Sequence, residues 1–369
     1  MSILPTGDGY LPAKPGDFKG PPVLVLGGYG VFGSLAAAEL ARRGIPGTVA
    51  GRDAGRARAL ASTLGPGCDG LAVDASDREA CRRALRGRRA VLLAAGPFGR
   101  FGTAVAEACL AERCAYVDLA DDRAYVFRLR SRGDEFERAD LPAVYGASSL
   151  PGLSGAVALA AAEARPDRPR TARVTLFIGN ANRKGQAAIE SLVQSIARRI
   201  EAPQGDLRGL GDLEPVPLPP PFGRSLTANF ESPEYDLFGP LLGVEEVRVK
   251  VGFELPGAIV AFWLLSVARF RPGPWLPRAA SAAAPLLGHW GHSGGMIQVE
   301  LTWPDGFVRR AAAGGPVDGQ RLAVLPAVLS IERILGEGGP AGARTAYEYL
   351  GHRALLSSLP SFGATLWRG

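Results

Sequence analysis

From Pro22 onward, short apolar runs alternate with stretches of helical periodicity. Val23-Leu24-Val25-Leu26 is apolar on both faces and runs into a glycine turn; the pattern from Leu35 to Arg43 behind it is helical and stops at Gly44. The pairing repeats down the chain. Gly47 to Ala50, Gly70 to Asp74, Ala90 to Ala95, Cys114 to Leu119 and Leu141 to Tyr145 predict further strands. Between them, helices are predicted at Arg56 to Leu64, at Thr103 to Glu112, at Arg123 to Arg138, and behind a capping box of Ser76 with Glu79. Strands apolar on both faces and separated by helices imply a parallel sheet covered on both sides. The pattern predicts an α/β fold with an N-terminal doubly wound Rossmann sheet over residues 22–150.

After Pro151 the rhythm changes. A helix from Ser154 to Ala164 leads to a strand from Ala172 to Ile178, and Gln186 to Ile200 reads as helical. Ala202 to Gly239 is rich in Pro and Gly and predicts a long loop. Glu245 to Phe253 alternates as a half-buried antiparallel strand, Ile259 to Phe270 is an apolar helix, and Ile297 to Trp303 with Phe307 to Ala312 form a hairpin around Pro304-Asp305-Gly306. Residues 151–320 thus predict an α+β second domain. Arg321 to Leu335 predicts a final helix, kinked at Pro326, within a C-terminal segment 321–369. Residues 1–21 read as a flexible segment without the apolar centre of a signal peptide.

Composition narrows the function classes. The net charge of +6 comes from scattered arginines, with lysine only at positions 14, 19, 184 and 250, so no basic footprint for nucleic acid emerges. Cys68, Cys81, Cys109 and Cys114 lack metal-ligand spacing and read as reduced thiols of a cytoplasmic enzyme. The longest apolar run, Ala258 to Val267, is too short to span a bilayer.

The sharpest chemical signal is Gly28-x-Gly30-x-x-Gly33, directly behind the first strand and opening a helix. One glycine permits a tight turn, one lets backbone approach a pyrophosphate, and one lets helix and sheet pack closely. With Tyr29, Val31 and Phe32 they form the predicted cofactor loop. An acidic residue at the end of the second strand would bind the ribose hydroxyl of NAD; this chain has Gly51-Arg52-Asp53. A guanidinium at Arg52 pairs with a 2′-phosphate and favours NADP(H), whereas Asp53 serves as a helix cap or competes for Arg52's place. Asp74 stands at the end of strand three as an adenine neighbour or a turn residue. Gly96, Pro97 and Phe98 end strand four beside the switch point, as cofactor backbone or as an ordinary turn.

The order and spacing of GGYGVFG, AGR, AAGPFGRFG, YVDLADD and GASSLPGLS resemble the saccharopine dehydrogenase-like family, in particular bacterial proteins carrying a saccharopine dehydrogenase NADP-binding domain. The resemblance covers residues 22–155. It implies a second domain inserted after strand six, a C-terminal helix returning to the first domain, a homodimer through the second domain, and C–N bond chemistry. It also implies that Pro97, Phe98 and the loop from Asp118 to Asp122 border the cofactor, with Ser148, Ser149, Pro151 and Gly152 facing the substrate. The chain departs from true saccharopine reductases near Phe101, where those enzymes carry histidine, so saccharopine itself is a poor substrate guess.

Candidate chemistry gathers at the end of strand five. Asp118, Asp121 and Asp122 lie on the cofactor side of the sheet, and two carboxylates held close raise one pKa. Asp122 is read as a helix cap; Asp118 and Asp121 are candidate acids; Ser149 is a candidate to orient a substrate oxygen, unless it bonds its own backbone. Gly179 to Gln186 forms either an anion cradle or a solvated loop. His289, His292 and His352 lack metal partners, and no metal is expected. The expected function is an NADP(H)-dependent reductase of an imine or carbonyl on a small molecule. The alternatives are an enoyl reductase for a hydrophobic acyl chain, favoured by the apolar second domain, and a non-catalytic NADP(H)-binding accessory protein.

Overall fold

Seven strands build the first sheet, in the order Gly342–Thr345, Pro142–Tyr145, Ala115–Asp118, Ala90–Leu93, Val23–Leu26, Gly47–Gly51 and Asp69–Ala72, every neighbouring pair parallel. The computed structural model describes residues 22–100, 102–287 and 291–369; the expectations for residues 1–21, Phe101 and His289 lie outside them. β1 (Val23–Leu26) is fully buried, as a strand apolar on both faces must be when helices cover the sheet on each side. Behind it follow α1 (Val31–Arg42), β2 (Gly47–Gly51), α2 (Ala54–Leu64), β3 (Asp69–Ala72), α3 (Arg78–Leu85), β4 (Ala90–Leu93), α4 (Ala104–Glu112) and β5 (Ala115–Asp118). The predicted helix over 123–138 is two, α5 (Arg123–Arg130) and α6 (Gly133–Arg138), and β6 (Pro142–Tyr145) follows. The predicted capping box at Ser76 is corrected by one residue. Asp77 caps α3, accepting from Ala80 N at 3.0 Å, while the Ser76 hydroxyl donates to Asp74.

The second sheet has the order β10-β11-β12-β7-β13-β14-β16. α7 (Ser154–Ala162) leads into β7 (Thr171–Ile178), α8 (Gln186–Gln194) and a short ribbon of β8 (Arg199–Ile200) with β9 (Leu207–Arg208). The stretch predicted as one long loop instead holds β10 (Glu214–Pro217), β11 (Arg224–Asn229) and α9 (Glu234–Leu242). Proline hides this strand from a reading by propensity, yet Pro215 and Pro217 sit on the sheet's edge strand, where a missing ladder N–H is tolerated. β12 (Glu246–Phe253), α10 (Pro256–Val267), α11 (Trp275–Leu287), β13 (Gly295–Thr302) and β14 (Val308–Gly315) complete the domain, with β12 parallel to β7 and the hairpin where predicted.

The C-terminal segment divides between the two sheets. α12 (Leu325–Leu335) packs on α1, β4 and β5, with Pro326 in its first turn, where proline opens a helix rather than kinking it. β15 (Gly342–Thr345) pairs with β6, and α13 (Ala346–Leu350) and α14 (His352–Ser357) follow. β16 (Thr365–Arg368) then joins β14 in the second sheet, so the tail does not return to the first domain alone. Buried Glu39 on α1 ties this segment down: it accepts from Arg42, Arg43 and Arg321, and Arg43 also reaches Glu332 at 2.8 Å. Burial works against ionising that carboxyl, but the three guanidiniums outweigh it and hold its pKa at about 2.

Candidate functional site

A cleft of about 1920 Å³ runs between the C-terminal ends of the first sheet and the α8–α10–β12 side of the second domain. The glycine loop forms one wall. Gly27 sits at φ +82°, and a Cβ there would lie 2.5 Å from Ala95 N behind β4. At Gly33 a Cβ would meet Gly27 O at 2.2 Å, and backbone cannot yield such space. Gly27 and Gly28 both donate to Ala50 O, at 2.8 and 2.9 Å, which fixes the loop on β2. Gly30 is the N-cap of α1 with no side chain bonded across it, so the first-turn amides are left to a ligand. A glycine-lined cradle at an uncapped helix N-terminus suits the pyrophosphate of a dinucleotide. Gly27, first residue of the GGYGVFG stretch, stands ahead of the Gly28-x-Gly30-x-x-Gly33 spacing and makes the turn from β1.

Beyond the loop, Tyr29 organises the adenosine side. The Arg56 guanidinium stacks 4.5 Å from its ring centroid, and its hydroxyl accepts from Asp53 N at 2.9 Å. The Asp53 carboxylate accepts from Arg56 N at 3.0 Å and is the N-cap of α2. Arg52 and Arg56 both line the cleft. Asp74 lines it too, its Oδ1 accepting from the Ser76 amide and hydroxyl; those bonds, and the Arg52 charge, hold its pKa below the usual carboxylate value. Gly96 and Pro97 lie at the sheet's end of the cleft, while the Phe98 ring is nearly buried against Tyr125. Phe32 is packed partly into the core at the same wall. Val31 meets the second domain: a Cβ on Gly185 would approach its Cγ2 at 3.3 Å.

Asp118 does not reach the cleft, which corrects the expectation of a group touching cofactor or substrate. Its side chain is fully buried, with Oδ1 accepting from Ala120 N at 2.9 Å and Gly146 N at 2.7 Å, and Oδ2 from the Tyr116 hydroxyl at 2.8 Å. Tyr116 in turn lies 2.7 Å from the Tyr125 hydroxyl. Burial pushes the Asp118 carboxyl up to about 6 against the pull of these donors. It fastens the end of β5 to the turn after β6, from which Ser148 and Ser149 face the cleft.

Asp121 and Asp122 do line the cleft. Asp122 caps α5, accepting from Tyr125 N at 2.8 Å, as predicted for it. Asp121 is exposed on its surface, with protein packed around it at longer range along the lining of the cleft. That enclosure, and then the charge of Asp122, raise its pKa to about 6. Glu231, from the second domain, is raised mainly by burial and lies 3.2 Å from Arg198. Arg123 is held by Asp236 through two bonds of 2.8 and 2.5 Å and is not free to bind an anion.

The opposite wall is apolar, formed by Leu176, Ile178, Phe230, Val251, Phe253 and Phe262. The stretch read as an anion cradle or solvated loop is neither in simple form. Asn180 and Asn182 are buried, Asn182 donates to Gly179 O and Gly294 O, and Lys184 donates to Asn180 O at 2.5 Å. His292 and His352 pair with Glu254 and Glu163, and neither lines the cleft. Sequence reading also missed Glu234, fully buried at the start of α9 and accepting from the Ser154 and Ser232 hydroxyls. Among the described residues no cluster of three His, Cys, Asp or Glu side chains gathers as a metal would need.

The fold and the cleft together have the architecture of a dinucleotide-binding domain joined to a second, mixed-sheet domain. Residues 23–144 match the family model of the saccharopine dehydrogenase NADP binding domain, and that match supports NADP(H) as the cofactor. Over the whole chain the structure is similar to apo histidine-tagged saccharopine dehydrogenase (L-Glu forming) from Saccharomyces cerevisiae, with a TM-score of 0.65 over 95% of this chain and 99% of that one. Their identity is 14%, so the likeness is one of fold. A short-chain type dehydrogenase/reductase from Mycobacterium marinum aligns over 33% of this chain and 72% of its own at a TM-score of 0.30 and 14% identity, a partial likeness only. Among curated proteins none matches in sequence. The family match supports an NADP-dependent oxidoreductase.

Proposed function

We propose that the protein is an NADPH-dependent reductase of an imine or carbonyl whose reacting group sits on an apolar body. The observation that carries this reading is Asp121, which lines the cleft beside Asp122 with its pKa raised to about 6. NADPH, when bound, supplies the hydride. Asp121 donates the proton that turns a bound imine into the iminium accepting the hydride, or that the oxygen of a carbonyl takes up as it is reduced, and the negative surroundings of Asp122 and Glu231 favour the iminium over a neutral carbonyl. Ser149 orients the polar end of the substrate, and the wall of Phe230, Phe253 and Phe262 excludes water from it. The test is NADPH oxidation with a panel of amines paired with aldehydes and keto acids. Turnover is expected for pairs carrying apolar groups. The apolar wall favours one second reading, reduction of an enoyl thioester; turnover of enoyl thioesters with none of the amine pairs would replace the first reading by that one. NADPH binding without turnover of either class would make the chain an accessory protein.

The same reading assigns the 2′-phosphate to Arg52 and Arg56 together, because Asp53 is occupied as a cap and Tyr29 holds the Arg56 guanidinium in place. Losing a charge-assisted bond from either arginine is expected to weaken NADPH by about 10- to 100-fold. NADH should change little. Calorimetric titration of Arg52→Ala and Arg56→Ala with both cofactors checks this, and equal losses for NADH and NADPH would overturn the assignment.

A further inference from the structure

We propose that the outer face of α10 and α11 docks the protein on an anionic lipid surface. The two helices are two-sided. Ala258 and Phe262, one turn apart on α10, line the cleft with Ala280 of α11. On the outside, Leu264 is 54%, Val267 48% and Trp275 59% exposed, three of the eight large apolar side chains left exposed among the described residues and the three that fall on these two helices. Leu264 and Val267 are three apart and share one stripe of α10, about half a turn away from Phe262. A stripe of this kind normally lies against a core, and nothing in the described chain covers it.

Charge selects the occupant. Between Glu254 and Glu300 the sequence has no acidic residue, and Arg269, Arg271 and Arg278 fall within that span. All three are exposed, and none forms an ion pair among the described residues. A second copy of the chain is a poor cover: a two-fold contact brings the same patch together, arginine against arginine, with no carboxylate of this span to answer it. A bilayer with anionic headgroups answers both features, taking Leu264, Val267 and the indole of Trp275 at the boundary and the guanidiniums at the phosphates. No helix of the described residues is long and apolar enough to cross a membrane, so the contact is peripheral. Because the inner side of the same helices is the cleft's apolar wall, docking brings that wall next to the lipid phase.

Cosedimentation with vesicles of equal phosphatidylglycerol and phosphatidylcholine, against pure phosphatidylcholine, tests the proposal. Binding is expected to the anionic vesicles, to weaken as salt rises, and to fall by on the order of 100-fold in the triple variant R269Q/R271Q/R278Q. The variant should bind NADPH as the parent does, which separates lost docking from lost folding. No binding to anionic vesicles, or equal binding to both kinds, overturns the proposal. So does a dimer in sedimentation velocity that dissociates in Leu264→Ser/Trp275→Ser, since a second copy would then cover the face.

Discussion

Replacing Asp121 with asparagine is expected to lower kcat by about 10²- to 10³-fold, the usual worth of one positioned acid, while NADPH affinity stays within a few-fold. The pH profile is the sharper readout. The Asp121 carboxyl is raised to about 6, first by its enclosure in the cleft and then by the neighbouring charge of Asp122. A proton donor works only in its protonated form. The wild-type rate of reduction is therefore highest below pH 6 and falls as pH rises through that value; Asp121→Asn lacks this limb. Asp122→Asn separates the two contributions: without the Asp122 charge the midpoint of the limb moves down, at some cost to the cap of α5. Single-turnover rates with saturating NADPH across pH 5 to 8 make the measurement. An unchanged limb in Asp121→Asn would sink its role as donor.

How much of this could be read from the sequence follows the kind of force involved. β1, β2, β4 and β5 are buried on both faces, and a two-sided apolar run with a helix behind it has few other solutions; the doubly wound sheet was legible for that reason, although β3 lies exposed at its edge. The glycine loop was legible because each glycine answers to a backbone contact that no side chain permits. β10 was not, since its prolines argue against a strand until its place at the sheet's edge is known. β15, four residues with two half-buried positions, owes its existence to the open edge of β6 and not to its own pattern. The roles of Asp118 and Asp121 were indistinguishable in sequence. Three residues apart at one strand end, they diverge because one turns inward onto Tyr116 and the other lies in the cleft. Glu234 gave no signal at all, because the serines that satisfy it are 80 and 2 residues away.

Asp118→Ala is expected to destabilise the protein by about 3 kcal/mol or more, because it leaves Ala120 N, Gly146 N and the Tyr116 hydroxyl buried without their acceptor. Asp118→Asn tells a different story. Its amide oxygen still accepts from both backbone donors, and its NH2 donates to Tyr116, whose hydroxyl then turns to Tyr125. Two hydrogens become surplus, the second one of the amide NH2 and that of the Tyr125 hydroxyl, at a cost of about 1 to 2 kcal/mol. Against this stands the cost of ionising a buried carboxyl, which the asparagine removes. Burial raises the folded pKa of Asp118 to about 6 from an unfolded value near 4. Within that window the folded protein keeps a proton that the unfolded chain releases, so this group's contribution to stability falls as pH rises from 4 to 6 and remains lower above it. Asp121 and Glu234, both raised by burial, impose the same sign and persist in the variant. The wild type should therefore lose more stability than Asp118→Asn between pH 4 and 7, and urea midpoints measured at matched pH give the difference. Because the carboxylate is sealed from the cleft, Asp118→Asn should keep kcat within a few-fold of wild type. A loss of 100-fold at unchanged stability would return Asp118 to the chemistry and remove the distinction drawn between it and Asp121.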